Sequence, residues 1–298
     1  MLLPSTPHRQ HAVDAVLSFL DSNDAGSAAA ARSFVARMLG LTTLEMSLEN
    51  TRALAATEVN ILEPLLLRLR SGEPLAYVEG SIGFYKHVFA IDKRALIPRA
   101  DSETVVELCL DHLGERSRPR LLDIGTGSGC LLISLLKELP TAHGVAVDVE
   151  QDALNLTSLN AKILEVDSRL SVLLSDCLSA LSSDQQFDLI VSNPPYITHG
   201  EQLGPSVAEF EPHSALFVTD GDPMQFYRKI MLASKQHLTD DGLLVFEIGA
   251  QREQQLAQLA AACGYAVIEQ RKDMSSIVRA IALKPKSLAC LPGTELSL

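Results

Sequence analysis

The hydrophobic pattern along the chain changes period twice. Up to about residue 75 the apolar positions fall at helical spacing. Phe34, Val35, Met38 and Leu39 share one face, and Gly40 is placed to stop that helix. A second helix is predicted from a Thr57 cap through Ile61, Leu62, Leu65, Leu66 and Leu69 towards Gly72. Pro64 lies inside it and is expected to kink or divide it, because an interior proline costs roughly 3 kcal/mol. From Gly80 to Pro98 the pattern shifts. Phe84 to Ile91 is rich in aromatic and β-branched residues, Asp92-Lys93 offers a turn, and Arg94 to Ile97 is predicted to pair back as a hairpin. Asp101 or Ser102 then opens a helix through Val105, Val106, Leu108 and Cys109. From Arg120 short apolar strands alternate with helices. The predicted strands are 120–123, 144–148, 170–175, 187–192, 242–248, 265–270 and 277–283. Such alternation predicts an α/β fold with a mainly parallel sheet and helices on both faces. The pattern divides the chain into a helical domain (1–78), a hairpin connector (79–100), an α/β domain (101–285) and a loose tail (286–298).

Chemistry gathers where the strands end. The first ends at Asp123 and runs through Ile124 into Gly125-Thr126-Gly127-Ser128-Gly129 before an apolar helix. Glycines there let the backbone turn sharply and a ligand approach closely. The second strand ends at Asp148, placed to accept both hydroxyls of a ribose, and the third at Ser175-Asp176, where a carboxylate can take an adenine amino proton. Three successive acid-ended strands point to an adenosine cofactor. The spacing is G-x-G-x-G rather than the dinucleotide G-x-G-x-x-G. Asp123 would repel a pyrophosphate but attract an amino-acid ammonium group, which favours S-adenosyl-L-methionine over a nicotinamide dinucleotide. The fourth strand delivers Asn193-Pro194-Pro195-Tyr196. Two prolines remove two backbone donors and fix two φ angles, so the strand must stop in a stiff loop. That loop carries an amide and a phenol, a combination suited to a small planar polar group. If the first and fourth strands are neighbours where the strand order reverses, the two loops face one another.

Composition narrows the partners. With 298 residues, two domains are expected, and a hydrophobic fraction of 47% suffices for a sizeable core. Lys and Arg number 25 against 37 Asp and Glu, for a net charge of −12, a poor match to a phosphate backbone. Five scattered cysteines without a C-x-x-C pair read as reduced thiols of a cytoplasmic protein. No export signal or run of roughly 18 apolar residues is present, so a soluble chain is expected. The eight histidines show no metal-ligand spacing, so no metal is expected. Ser102, Ser128 and Ser192 lack a nucleophile-elbow context.

Taken together, these segments resemble the amino-methylating methyltransferases with an N-P-P-Y motif, and among them the release-factor glutamine methyltransferase family (PrmC/HemK). The likeness runs through Gly72-Glu73-Pro74-Leu75-Ala76-Tyr77, Leu96-Ile97-Pro98-Arg99, the D-x-G-T-G-S-G loop, N-P-P-Y and Phe210-Glu211-Pro212. It extends to Phe246-Glu247-Ile248-Gly249 and Arg271-Lys272-Asp273. The resemblance implies a Rossmann-like, seven-stranded methyltransferase domain with a small N-terminal helical domain joined by a β-hairpin. It implies methylation of the side-chain amide of the glutamine in the G-G-Q motif of peptide-chain release factors. Asn193 and the Pro194 carbonyl would hold the target NH₂, with Pro195 and Tyr196 completing the grip. Asp123, Gly125 to Gly129, Asp148, Asp176, Cys177 and Asn193 would line the cofactor pocket. The chain departs from the family at Ala100 and Ser102, mildly, at Met274 to Ile277, and at Cys177-Leu178, where relatives carry an aromatic residue beside the adenine.

Three alternatives stay open. A glutamine methyltransferase acting on a large-subunit ribosomal protein shares the chemistry and both domains. An adenine amino-methyltransferase would use the same cradle on a flipped base, but predicts a basic groove. A non-catalytic adaptor has no need of an intact cofactor loop beside an intact N-P-P-Y.

Overall fold

The computed structural model describes residues 2–20, 26–114 and 116–286. The predicted tail beyond Lys286, with Cys290, lies outside them. The chain divides into two compact units, Met1–Ser81 with Leu203–Phe210, and Ile82–Gln202 with Glu211–Leu298.

The first unit is helical: α1 (Arg9–Leu17), α2 (Ser27–Met38), α3 (Thr43–Leu48), α4 (Ala56–Arg70) and α5 (Leu75–Glu79). Its core joins Val13, Val16, Phe34, Val35, Leu62 and Leu66. Gly40 ends α2 as expected. Its φ is +66°, the Leu41 N–H reaches the Ala36 carbonyl at 2.8 Å and the Gly40 N–H reaches that of Arg37 at 3.1 Å. This paired arrangement satisfies carbonyls that the helix leaves open. The α4 cap differs from expectation. The helix starts after Ala55, whose N–H is taken by Glu58 Oε2 at 2.7 Å, so Thr57 sits in the first turn. Pro64 neither divides nor ends α4. Pro64 and Asn60, whose carbonyl loses its helical donor, both lie on the exposed face, where an open carbonyl costs little.

The second unit opens with the hairpin β1 (Ser81–Phe84) and β2 (His87–Ala90). The hairpin thus turns at Tyr85-Lys86, earlier than predicted. Tyr85 takes φ +55°, and its N–H is held by Glu103 Oε1 at 2.8 Å. Arg94 to Ile97 does not pair back. Asp92 Oδ1 accepts the Arg94 N–H at 3.0 Å and its carboxylate grips the same guanidinium, so this side chain replaces a ladder partner. Then follow α6 (Glu103–Leu113), β3 (Arg120–Ile124), α7 (Cys130–Glu138), β4 (His143–Asp148), α8 (Gln151–Ile163), β5 (Leu170–Leu174) and β6 (Phe187–Ser192). The excursion after β6 carries α9 (Pro205–Phe210), counted with the first unit, and α10 (His213–Leu216). The unit closes with α11 (Gln225–Ser234), β7 (Leu238–Glu247), α12 (Glu253–Ala262), β8 (Tyr265–Lys272) and β9 (Val278–Pro285).

All seven predicted strands are present in one sheet, in the order β5-β4-β3-β6-β7-β9-β8. Strands β3 to β7 run parallel, while β9 pairs antiparallel with both β7 and β8. Successive side chains point to opposite faces. Leu121, Leu189, Val191 and Val245 therefore pack with α6 and α7 residues, while Leu122, Ile190, Leu244 and Phe246 pack with α11 and α12 residues. The strand order reverses between β3 and β6, which pair with Ile124 opposite Ser192. The Ser192 hydroxyl donates to the Ile124 carbonyl at 2.7 Å and fastens the two strand ends together. Among the described residues no helix is long and apolar enough to cross a membrane.

Candidate active site

A cavity of about 490 Å³ opens at the carboxyl ends of β3, β4, β5 and β6. On one side stands the glycine loop. Gly125, Gly127 and Gly129 all take positive φ (71°, 56° and 80°), where a side chain is strained. A Cβ on Gly129 would stand 2.8 Å from Ile133 Cδ1 and 2.9 Å from Thr157 Cγ2. The Val147 carbonyl accepts from both the Gly125 and the Thr126 N–H, at 2.9 and 3.1 Å. Two fully buried α8 side chains brace the loop from behind. The Thr157 hydroxyl donates to the Gly127 carbonyl at 2.9 Å, and Asn160 Nδ2 donates to the Ser128 carbonyl at 2.8 Å. No motif marks either residue, but Thr157 and Asn160 fall on the apolar stripe of Ala153, Leu156 and Ala161, which is the signal that a polar pair there has inward work to do.

Asp123 is buried under the loop. Its Oδ2 accepts from the Thr126 hydroxyl at 2.7 Å, and its Oδ1 has no partner. Burial pushes its pKa up to about 7; the Thr126 bond opposes that and the nearby Asp148 charge adds to it. An orphaned acid oxygen in a cavity wall is a receptor for a cation, and it fits the ammonium of an amino-acid moiety. Asp148 holds its own loop, with Oδ2 accepting the Gly127 N–H at 2.9 Å and Oδ1 the Glu150 N–H at 3.0 Å. Each carboxylate oxygen keeps a second lone pair. Asp176 also lines the cavity, but it is held by Lys229, whose Nζ donates to both carboxylate oxygens at 2.6 Å. Cys177 is buried at φ +51°, and burial pushes its thiol up to about 11, so it presents a neutral sulfur.

On the other side stands the loop after β6. Asn193, Pro194 and Pro195 line the same cavity as Asp123, Gly125 to Ser128, Asp148, Asp176 and Cys177. Gly129 and Tyr196 lie outside its wall. The Tyr196 ring instead packs over Gly249, where a Cβ would come within 2.8 Å of its Cε2, with the Arg252 guanidinium 5.8 Å from the ring centroid. Burial raises the pKa of its phenol, which stays neutral. The cavity's rim includes Leu96, Pro98 and Arg99, and Glu211 fixes that segment. Its buried carboxylate accepts the Ile97 N–H at 3.1 Å and Arg99 Nη2 at 2.6 Å. The Leu96–Arg99 segment and Glu211 thus meet through an ion pair and a backbone hydrogen bond. Glu247 is a second functional candidate that pattern reading left without a role. It is a carboxylate inside the apolar run of β7, and the neighbouring Ser102 and Asn193 side chains favour its charged form.

Comparison with known proteins agrees with this geometry. Residues 99–271 match the methyltransferase small domain family, and residues 11–80 match the PrmC N-terminal domain family. A bifunctional methyltransferase of Rickettsia typhi is 34% identical over 255 residues, covering 79% of this chain and 49% of that protein. The chain therefore spans about half the length of that relative and of its Rickettsia felis counterpart. A release factor glutamine methyltransferase of Chlorobaculum tepidum is 33% identical over 262 residues, covering 85% of this chain and 88% of that one. The solved hMettl16 catalytic domain shares the fold at 18% identity and a TM-score of 0.54, over 82% of this chain and 88% of that one. With a methyltransferase domain match over more than half its residues and a relative of this kind covered over 88% of its length, the chain belongs to the release factor glutamine methyltransferase family.

Proposed function

We propose that this chain transfers a methyl group from S-adenosyl-L-methionine to the side-chain amide nitrogen of the glutamine in the G-G-Q motif of peptide-chain release factors. One observation carries the reading. The glycine loop with its orphaned acid and the N-P-P segment line a single cavity, because β3 and β6 are register neighbours at the point where the sheet order reverses.

The cofactor's sulfonium, when bound, supplies a methyl group that is already strongly electrophilic. Asp123 Oδ1 holds the ammonium, the Gly125 to Gly129 backbone lets the chain approach closely, and the free lone pairs of Asp148 take the ribose hydroxyls. Asp176 and Cys177 border the adenine, where Lys229 shares the Asp176 carboxylate. On the substrate side the Asn193 Oδ1 and the Pro194 carbonyl accept from the target NH₂, and Tyr196 supports the loop. An amide nitrogen is a poor nucleophile because its lone pair is delocalised. Two acceptors gripping its protons bias the nitrogen towards a pyramidal form, and holding it in line supplies several kcal/mol of the barrier. As the N–CH₃ bond forms the S–CH₃ bond breaks, S-adenosyl-L-homocysteine leaves, and one amide proton passes to solvent after the transfer. The helical first unit is the surface that selects the protein substrate, and residues 79–100 connect it to the methyltransferase domain of residues 101–285.

The test is incubation of the chain with labelled S-adenosyl-L-methionine and, in parallel, purified release factor, large-subunit ribosomal protein and DNA, followed by mapping of the labelled residue. Label on the G-G-Q glutamine is the expected result. Label on a ribosomal glutamine or on adenine reassigns the substrate, and no cofactor binding at all leaves an adaptor.

A further inference from the structure

Glu247 ends β7 on the sheet face that Val245 and Val191 occupy, one residue beyond the Ser192–Phe246 pairing and therefore level with Asn193. It is 4% exposed, and its Oε2 has no hydrogen-bond partner. Among the described residues no ion pair reaches it. The guanidinium whose charge acts on it, that of Arg279 in β9, is committed to Asp273 Oδ2 at 2.8 Å and Asp101 Oδ2 at 3.0 Å. A buried acid without a cation in an apolar strand destabilises the fold, so a stabilising role does not account for it. Beside it the register sets Asn193, and the Asn193 carboxamide and the Ser102 hydroxyl both favour its charged form.

We propose that Glu247 is the positioning residue of the N-P-P-Y loop: its carboxylate accepts from Asn193 Nδ2 and so turns Asn193 Oδ1 into the cavity. The inference rests on the reading above, in which Asn193 accepts from the target NH₂. A carboxamide has a donor end and an acceptor end of nearly equal size, and a flipped Asn193 would set its own NH₂ against that of the substrate. An ionised carboxylate accepts only, so it permits one orientation. A protonated one can donate, and the constraint is lost.

Burial lifts the Glu247 pKa to about 7. The charged and titratable groups around it are Asp101, which raises it further, Arg279, which lowers it, Tyr196, Tyr227 and Cys130. The acid form therefore predominates below about pH 7, and orientation improves as pH rises through that value.

The experiment follows the Asn193 side-chain NH₂ signals by NMR in the ligand-free protein from pH 5.5 to 9, beside single-turnover methylation of release factor. In the wild type and in Asp123→Asn those signals are expected to move with a midpoint near 7, and in Glu247→Gln to stay fixed. Glu247→Ala is expected to lose about a hundredfold in the methylation rate with cofactor affinity within twofold. Glu247→Gln, whose Oε1 can still accept, should recover to within tenfold of wild type, show no acid limb near pH 7, and melt no lower than wild type. Asn193 signals that ignore Glu247, or a Glu247→Ala rate within twofold of wild type, overturn the inference. If release factor is not methylated yet the Asn193 signals still follow Glu247, the substrate reading fails and the coupling stands.

Discussion

Asp123 and Glu247 are two answers to one problem. Both are buried acids at the carboxyl edge of the sheet, each with one orphaned oxygen, and burial lifts both to about 7. They differ in what lies in front of them. Asp123 is part of the cavity wall, behind a glycine loop whose strained turns leave no side chain in the way. Glu247 is not part of that wall, and it meets the cavity through two side chains that line it, Ser102 and Asn193. One acid offers its charge to a ligand, while the other spends its charge on aiming a neighbour. Equal perturbation therefore does not mean equal function, and access to the cavity separates the two.

The largest expected effect lies on the Asn193 side. Asn193→Ala removes an acceptor from the target NH₂ and should lower kcat by about 10²–10³-fold, by analogy with the loss of one preorganised hydrogen-bonding group elsewhere. Cofactor affinity, measured by calorimetry, should hold within a few-fold. A mutant with near-normal turnover would refute the assigned role.

On the glycine-loop side the readout reverses. Asp148→Ala releases the Gly127 and Glu150 N–H groups as well as the ribose acceptors. Loss of charge-assisted bonds worth about 1.5–3 kcal/mol each predicts cofactor binding weakened about a hundredfold. An unchanged dissociation constant would show that the ribose lies elsewhere.

How legible this contrast was in the sequence depends on the kind of signal. The seven strands, the acids at their ends and the glycine loop are legible from period and spacing, because a buried parallel strand must be an apolar run and must stop where polar residues begin. The hairpin register was not legible. Asp92 satisfies the Arg94 N–H through its side chain, an option that a strand pattern does not display. Nor was the α4 cap, since Ala55 carries no capping side chain and Glu58 reaches back instead. Glu247 was visible only as a polar letter in Leu243-Leu244-Val245-Phe246-Glu247-Ile248, and its meaning needed the β6 register beside it.

Asp123 gives a sharper test, since it predicts opposite movements of affinity and stability. Its pKa rises from an ordinary carboxylate value to about 7 on folding, so between about pH 4 and pH 7 the native state holds a proton that the unfolded chain has lost. Stability therefore falls as pH rises through that window and stays low above it. Asp123→Asn keeps the acceptor for Thr126 and removes the charge. It should melt a few degrees above wild type at pH 8, with the gap closing by pH 5, while cofactor affinity falls about tenfold. A melting gap independent of pH would mean that the acid is ionised and satisfied in the folded protein.

The smallest effect tests whether the loop's geometry, apart from its charge, matters. Thr157→Val keeps shape and volume but leaves the Gly127 carbonyl without its 2.9 Å donor. One neutral hydrogen bond is worth about 1 kcal/mol, and in a unit of this size that is roughly 2–4 °C of melting temperature. The same change should weaken cofactor binding by a few-fold, because Gly127 also carries the N–H that Asp148 accepts, and a shifted Gly127 disturbs both. It should leave the pH response of the Asn193 amide untouched, since α8 supports only the glycine-loop side. A Thr157→Val protein that lost that response would show the two sides of the cavity to be one mechanical unit, and the division between a ligand-holding acid and an aiming acid would have to be abandoned.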